Sequence, residues 1–137
     1  MHLYSLTLGQ ATAINQACAG SFTKPDADEI CVAKGKIIEL VQVDRETGKL
    51  ETIYTHEVFG LVRKMLAFRI LGMQKDFLVI GSDSGRIVIL EYDQVKKRFV
   101  KIHQETYGKT GCRRIVPGEY LAADPKGRVL LIGAVER

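Results

Sequence analysis

The chain has 137 residues, 46% of them apolar and 26% charged, with a formal net charge of +4. This is the length of about one domain and an ordinary globular composition that argues against disorder. Its apolar runs, such as Phe77-Leu78-Val79-Ile80, fall far short of the roughly 18 residues that a membrane-spanning helix needs.

Along the chain the residues favour strands. Met1-His2-Leu3-Tyr4-Ser5 has no basic n-region and no long apolar core, so it does not read as a secretory signal. Residues 16–28 read as a loop. Lys34-Gly35 predicts a tight hairpin, since glycine can adopt positive φ. Ile37-Ile38-Glu39-Leu40-Val41 is short and β-branched, as a buried strand is. Residues 42–49 read as a loop opened by Asp44, and a strand then runs to His56-Glu57-Val58-Phe59-Gly60. Residues 61–70 are the best helical candidate, but they lack caps and read as a strand. Ser82-Asp83-Ser84-Gly85 predicts a turn, and Ile87-Val88-Ile89-Leu90 a second buried strand. Asp93 opens a basic loop, Lys96-Lys97-Arg98, and a strand follows to Gln104-Glu105-Thr106-Tyr107-Gly108. In Asp124-Pro125-Lys126-Gly127, aspartate stands first, proline second and glycine fourth, which suits a type I turn.

These elements repeat. Gly35-Lys36-Ile37, Gly85-Arg86-Ile87 and Gly127-Arg128-Val129 stand 50 and 42 residues apart. Asp44 matches Asp93, and the two strand ends share Glu, an aromatic and Gly in register, 48 residues apart. A basic residue follows each, Arg63 or Arg113. Periods of this size mark four-stranded β-propeller blades. The expectation is an all-β, WD40-like β-propeller of which the chain carries under three blades, with the three turns in equivalent places. Propellers close with about four or more blades, so the chain reads as the opening part of a larger ring and as a scaffold rather than a self-contained enzyme. A chain of 1–137 alone would leave one blade face without a neighbour and its edge strands open to pairing.

Little in the sequence carries chemistry. Gly81-Ser82-Asp83-Ser84-Gly85 is followed by a strand, whereas a phosphate loop precedes a helix. His2, His56 and His103 have no ligand spacing, so no metal or other cofactor is expected. Cys18, Cys31 and Cys112 are odd in number and widely spaced, which reads as free thiols in a reducing compartment. Arg113 and Arg114 beside Cys112 could lower its thiol pKa, but no orienting third group is visible and a buried core thiol is the commoner role. Arg113 and Arg114 are the candidate interface residues; the bland alternative packs one along a strand and solvates the other. Gly35, Gly85, Asp124, Pro125 and Gly127 are the candidate structural turn residues. Positive charge is otherwise scattered, unlike the dense stripe of a nucleic-acid interface.

Residues 75–93, KDFLVIGSDSGRIVILEYD, and 101–136, KIHQETYGKTGCRRIVPGEYLAADPKGRVLLIGAVE, resemble the splicing factor 3B subunit 3 family. Leu3-Tyr4-Ser5-Leu6-Thr7-Leu8 and Glu57-Val58-Phe59-Gly60 fit it as well. The resemblance covers essentially the whole chain and is looser over residues 16–28 and 42–49. It implies that residues 1–137 are the N-terminal part of the first of three seven-bladed propellers. It also implies that a segment within 1–20, about residues 3–8, can cross over to complete another propeller. The implied role is a non-catalytic nuclear scaffold in pre-mRNA splicing, at branch-site recognition and spliceosome assembly. The implied partners are the HEAT-repeat subunit and small subunits of the splicing factor 3B complex, with RNA met indirectly, no membrane and no small-molecule substrate. Related three-propeller scaffolds of mRNA 3′-end cleavage and polyadenylation, or of a DNA-damage ubiquitin ligase, are the alternative. An enzyme-type propeller would need convergent acidic or histidine ligands, which the inner strands do not offer.

Overall fold

A computed structural model describes residues 2–6, 8–9, 12–58, 60–106 and 120–133. Its strands are β1 (Gln16–Gly20), β2 (Glu29–Lys34), β3 (Ile37–Val43), β4 (Leu50–Glu57), β5 (Val62–Phe68), β6 (Phe77–Ser82), β7 (Arg86–Asp93), β8 (Arg98–Thr106), β9 (Leu121–Ala123) and β10 (Leu130–Ile132). They form two four-stranded antiparallel meanders, β1-β2-β3-β4 and β5-β6-β7-β8, and the pair β9-β10. The two meanders, here blade 1 and blade 2, show the expected all-β architecture of a partial β-propeller. Residues 61–70 hold a strand, β5, as their missing caps suggested.

Strand alternation explains why the blades stack. On β6 and β7, Leu78, Ile80, Leu90 and Tyr92 join a core shared with Cys31, Ala33, Ile38 and Leu40 of blade 1. The intervening Val79 and Ile87 point the other way, into a core with Leu121 of β9 and the partly buried Leu130 and Ile132 of β10. Successive side chains of a strand face opposite sides, so every residue of β6 is buried. β2 alternates buried and half-buried positions, because among the described residues only one of its faces meets a neighbouring sheet. The outer strand β4 is almost wholly exposed or half-buried.

A β-bulge interrupts β3 between Leu40 and Val41, and another interrupts β7 between Ile89 and Leu90. Ile53 and Ile102, 49 residues apart, are the outer-strand residues left without a partner there. An irregularity repeated in register is a feature of the blade, and it bends and twists the outer strand.

Two expectations change. Residues 16–28 are not all loop: β1 is a strand paired with β2 over its whole length. Its sequence, Gln-Ala-Cys-Ala-Gly, is poor in strand formers, but tertiary pairing overrides that preference, and small side chains suit a crowded site. A Cβ on Gly20 would lie 2.8 Å from Asp76 Oδ2 and 3.0 Å from Phe22 Cζ. The second change concerns phase. β9 lies against β5 as β5 lies against β1, so β9 is a first strand. Gly127 therefore joins first to second strand, whereas Gly35 and Gly85 join second to third. The third turn is not equivalent to the other two, which is why its spacing is 42 residues and not 50.

Candidate interaction site

The turn residues tie neighbouring blades together. Gly35 has φ 67° and begins a two-residue loop between the paired Lys34 and Ile37. Positive φ at the first central residue alone is the pattern of a type II′ turn. The Gly35 carbonyl accepts the Val62 N–H at 3.1 Å. Asn15 bridges the same two residues: Gly35 N–H donates to its Oδ1 at 3.0 Å, and its Nδ2 donates to the Val62 carbonyl at 2.6 Å. Gly85 has φ 78° and closes a three-residue loop by donating to the Ser82 carbonyl at 3.1 Å. Within that loop Asp83 accepts the Leu61 N–H at 2.9 Å, holding the link into β5.

At the opposite end of the sheets, Gly127 has φ 70° and donates to the Asp124 carbonyl at 2.9 Å. Pro125 stands at the second position, where its ring fixes φ. Asp124 accepts the Lys126 N–H at 3.2 Å and Arg128 Nε at 2.6 Å, and Arg128 above all holds its carboxyl below the usual range. The Gly127 carbonyl accepts the Leu71 N–H at 3.2 Å, and a Cβ on Gly127 would sit 1.8 Å from the Arg69 carbonyl oxygen. Only glycine allows so close an approach. Arg113, Arg114 and Cys112 lie outside the described residues.

Sequence reasoning missed a clamp at that same end. Asp76 Oδ2 accepts the Ser21 N–H at 2.8 Å, and the Asp76 N–H returns a bond to the Ser21 carbonyl at 2.8 Å. Arg69 Nε donates to Asp76 Oδ1 at 2.9 Å, and this bond raises the arginine pKa. Glu29, only 2% exposed, accepts the Phe22 and Thr23 N–H groups and the Thr23 hydroxyl at 2.7–2.9 Å. Gln94 of blade 2 donates to the Thr23 carbonyl. The partners lie as far as 71 residues apart in sequence, so no local motif announces them.

The remaining titratable groups read as structural. Asp44 is held below its usual range by the Thr47 hydroxyl, and Asp93 by the Lys96 N–H, as loop openers. Cys18 and Cys31 are free thiols paired directly across β1 and β2. Burial pushes Cys18 up to about 12 and Cys31 further in the same direction, which keeps both protonated and poorly nucleophilic at neutral pH. Burial lowers the His56 pKa; its Nδ1 lies 3.1 Å from the Tyr54 hydroxyl. Among the described residues no group of three or more His, Cys, Asp or Glu could hold a metal ion.

The wedge between the blades is filled unevenly. At the Asp93 end Tyr54 meets Tyr92 and Phe99 with ring centroids 6.3 and 5.9 Å away, and Phe22 meets Phe99 at 6.4 Å. At the Gly85 end no phenylalanine or tyrosine enters among the described residues, and a groove of about 240 Å³ remains over Val58, Ile80, Val88 and Leu90, with His56 and Glu57 at its edge.

Residues 13–137 match the family model described as the RSE1/DDB1/CPSF1 first beta-propeller. The chain is 58% identical over its full length to "Splicing factor 3B subunit 3" of Danio rerio and to "Spliceosome-associated protein 130 A" of Arabidopsis thaliana. It is 50% identical over its full length to "Pre-mRNA-splicing factor RSE1" of Mycosarcoma maydis. In each case it spans 11% of the relative's length.

Proposed function

Since this chain belongs to the RSE1/DDB1/CPSF1 first-beta-propeller family, we propose that it serves as a non-catalytic scaffold in pre-mRNA splicing. The observation that carries this reading is similarity along the whole chain to relatives named as splicing factors. The geometry supports it, because the turn residues and buried polar groups are spent on joining blades. Residues 1–137 are the N-terminal part of the first propeller. Leu3, Tyr4, Leu6 and Leu8 are each more than 60% exposed, which suits a segment that completes another propeller, while β1 pairs with β2 within blade 1. The partners are the HEAT-repeat and small subunits of a splicing factor 3B complex in the nucleus, with RNA met through them. Gly35, Gly85, Asp124, Pro125 and Gly127 hold the blades, and Arg113 and Arg114 meet a protein partner.

Immunoprecipitation from nuclear extract with an antibody to residues 101–136 tests this. Recovery of the HEAT-repeat splicing subunit is the expected result. Recovery of polyadenylation or ubiquitin-ligase subunits instead would move the chain to another branch of its family.

A further inference from the structure

We propose that the groove at the Gly85 end of the blade 1–blade 2 wedge docks an extended protein segment that presents an aliphatic side chain next to a carboxylate. The floor, Val58, Ile80, Val88 and Leu90, is aliphatic. Its one ring among the described residues is His56, whose Nδ1 lies 3.1 Å from the Tyr54 hydroxyl, so it lacks the succession of aromatic faces on which single-stranded nucleic acid stacks. Its volume of about 240 Å³ lies below the roughly 300 Å³ at which small-molecule pockets begin. It holds an anchoring side chain of a larger partner.

Charge and backbone fix the rest of the occupant. Lys101 stands on the blade 2 rim, and its Nζ donates to the neutral Gln104 Oε1 at 3.0 Å. Among the described residues it forms no ion pair, either with Glu57 of the same lining or with any other carboxylate, so its charge is available to an incoming acid on the blade 2 side. The blade 1 rim is the end of β4, the outer strand of its sheet. An outer strand presents unpaired backbone groups, to which an extended segment can add while its side chain enters the groove.

Fluorescence polarisation with the purified protein tests this, using a labelled peptide of alternating leucine and aspartate and a control with lysine for aspartate. The acidic peptide is expected to bind saturably, and the lysine peptide at least about tenfold more weakly. Lys101→Glu should weaken the acidic peptide about tenfold, and Gln104→Trp should block it by closing the groove. Both are rim positions, and a thermal melt of each variant separates loss of the groove from loss of the fold; if Gln104→Trp fails to fold, Lys101→Glu decides. Absence of saturable binding, equal binding of the lysine peptide, or unchanged affinity in Lys101→Glu overturns the proposal. Saturable binding of labelled oligouridine that Lys101→Glu removes assigns the groove to RNA and also overturns it. The assay contains no splicing component besides the chain itself, so its failure leaves the scaffold reading standing.

Discussion

Blade 1 and blade 2 are built to one plan and sit in different surroundings. The pairings Ala33 with Ile38 and Gly81 with Ile87 align them. Ile38 and Leu40 then correspond to Ile87 and Ile89, and Ile30 and Val32 to Leu78 and Ile80. The strand order, the outer bulge and the aspartate-opened loop recur. The covering does not: among the described residues blade 2 lies between blade 1 and β9-β10, while blade 1 is covered on one side. On its uncovered face Lys34 and Glu39 form an ion pair at 3.0 Å, where blade 2 carries Ser82 and Val88. The contrast teaches that a blade's strands follow from its own sequence, while most of its burial is supplied by its neighbours.

The largest expected difference tests that statement directly. Leu78 is fully buried and joins the shared core, and truncation to alanine there should cost about 4 kcal/mol, near the upper part of the range for such sites. Ile30, its counterpart, is half-buried on the uncovered face, and Ile30→Ala should cost about 1 kcal/mol. Urea denaturation midpoints of the two variants give the comparison. Equal losses would mean that blade 1 derives its stability without a neighbour on that face.

Next in size are the turn glycines. Gly127→Val forces a side chain into the Arg69 carbonyl at a positive φ and should cost about 4 kcal/mol. Gly85→Val meets the φ penalty in a shorter local turn and should cost about 1–3 kcal/mol. If thermal melts rank them the other way, contact between successive loops matters less than local backbone strain.

Much of this was legible in the residues, and the reasons differ by element. β-Branched runs such as Ile37-Ile38 and Ile87-Val88-Ile89 identify strands because they are short, apolar and bounded by turn residues. Gly35, Gly85 and Gly127 were legible as turns, since the chain must reverse there and glycine permits it. Their phase was not, because a turn signature reports local φ and not which pair of strands it joins. β1 was hidden by alanine and glycine, whose strand character comes from pairing with β2. The Asp76–Ser21 clamp joins residues 55 apart, and the groove exists only once two sheets are side by side, so neither has a local pattern. Arg113 and Arg114 fall outside the described residues.

The smallest effect lies in the loops between third and fourth strands, where the two blades solve one backbone problem differently. Gly48 has φ 70° and Lys97 has φ 52°, each four residues after its loop-opening aspartate. Glycine takes this conformation freely, whereas a lysine side chain crowds the following carbonyl and costs about 1 kcal/mol. Lys97→Gly removes that strain but frees the unfolded chain, which offsets part of the gain; a net stabilisation of roughly 0.5 kcal/mol is expected. Gly48→Lys imports the strain into blade 1 and should cost about 1 kcal/mol. The two loops share their aspartate bonds to following N–H groups, so the exchange isolates the backbone contribution. A loss of stability in Lys97→Gly would show that the Lys97 side chain stabilises blade 2 through contacts that outweigh its own strain.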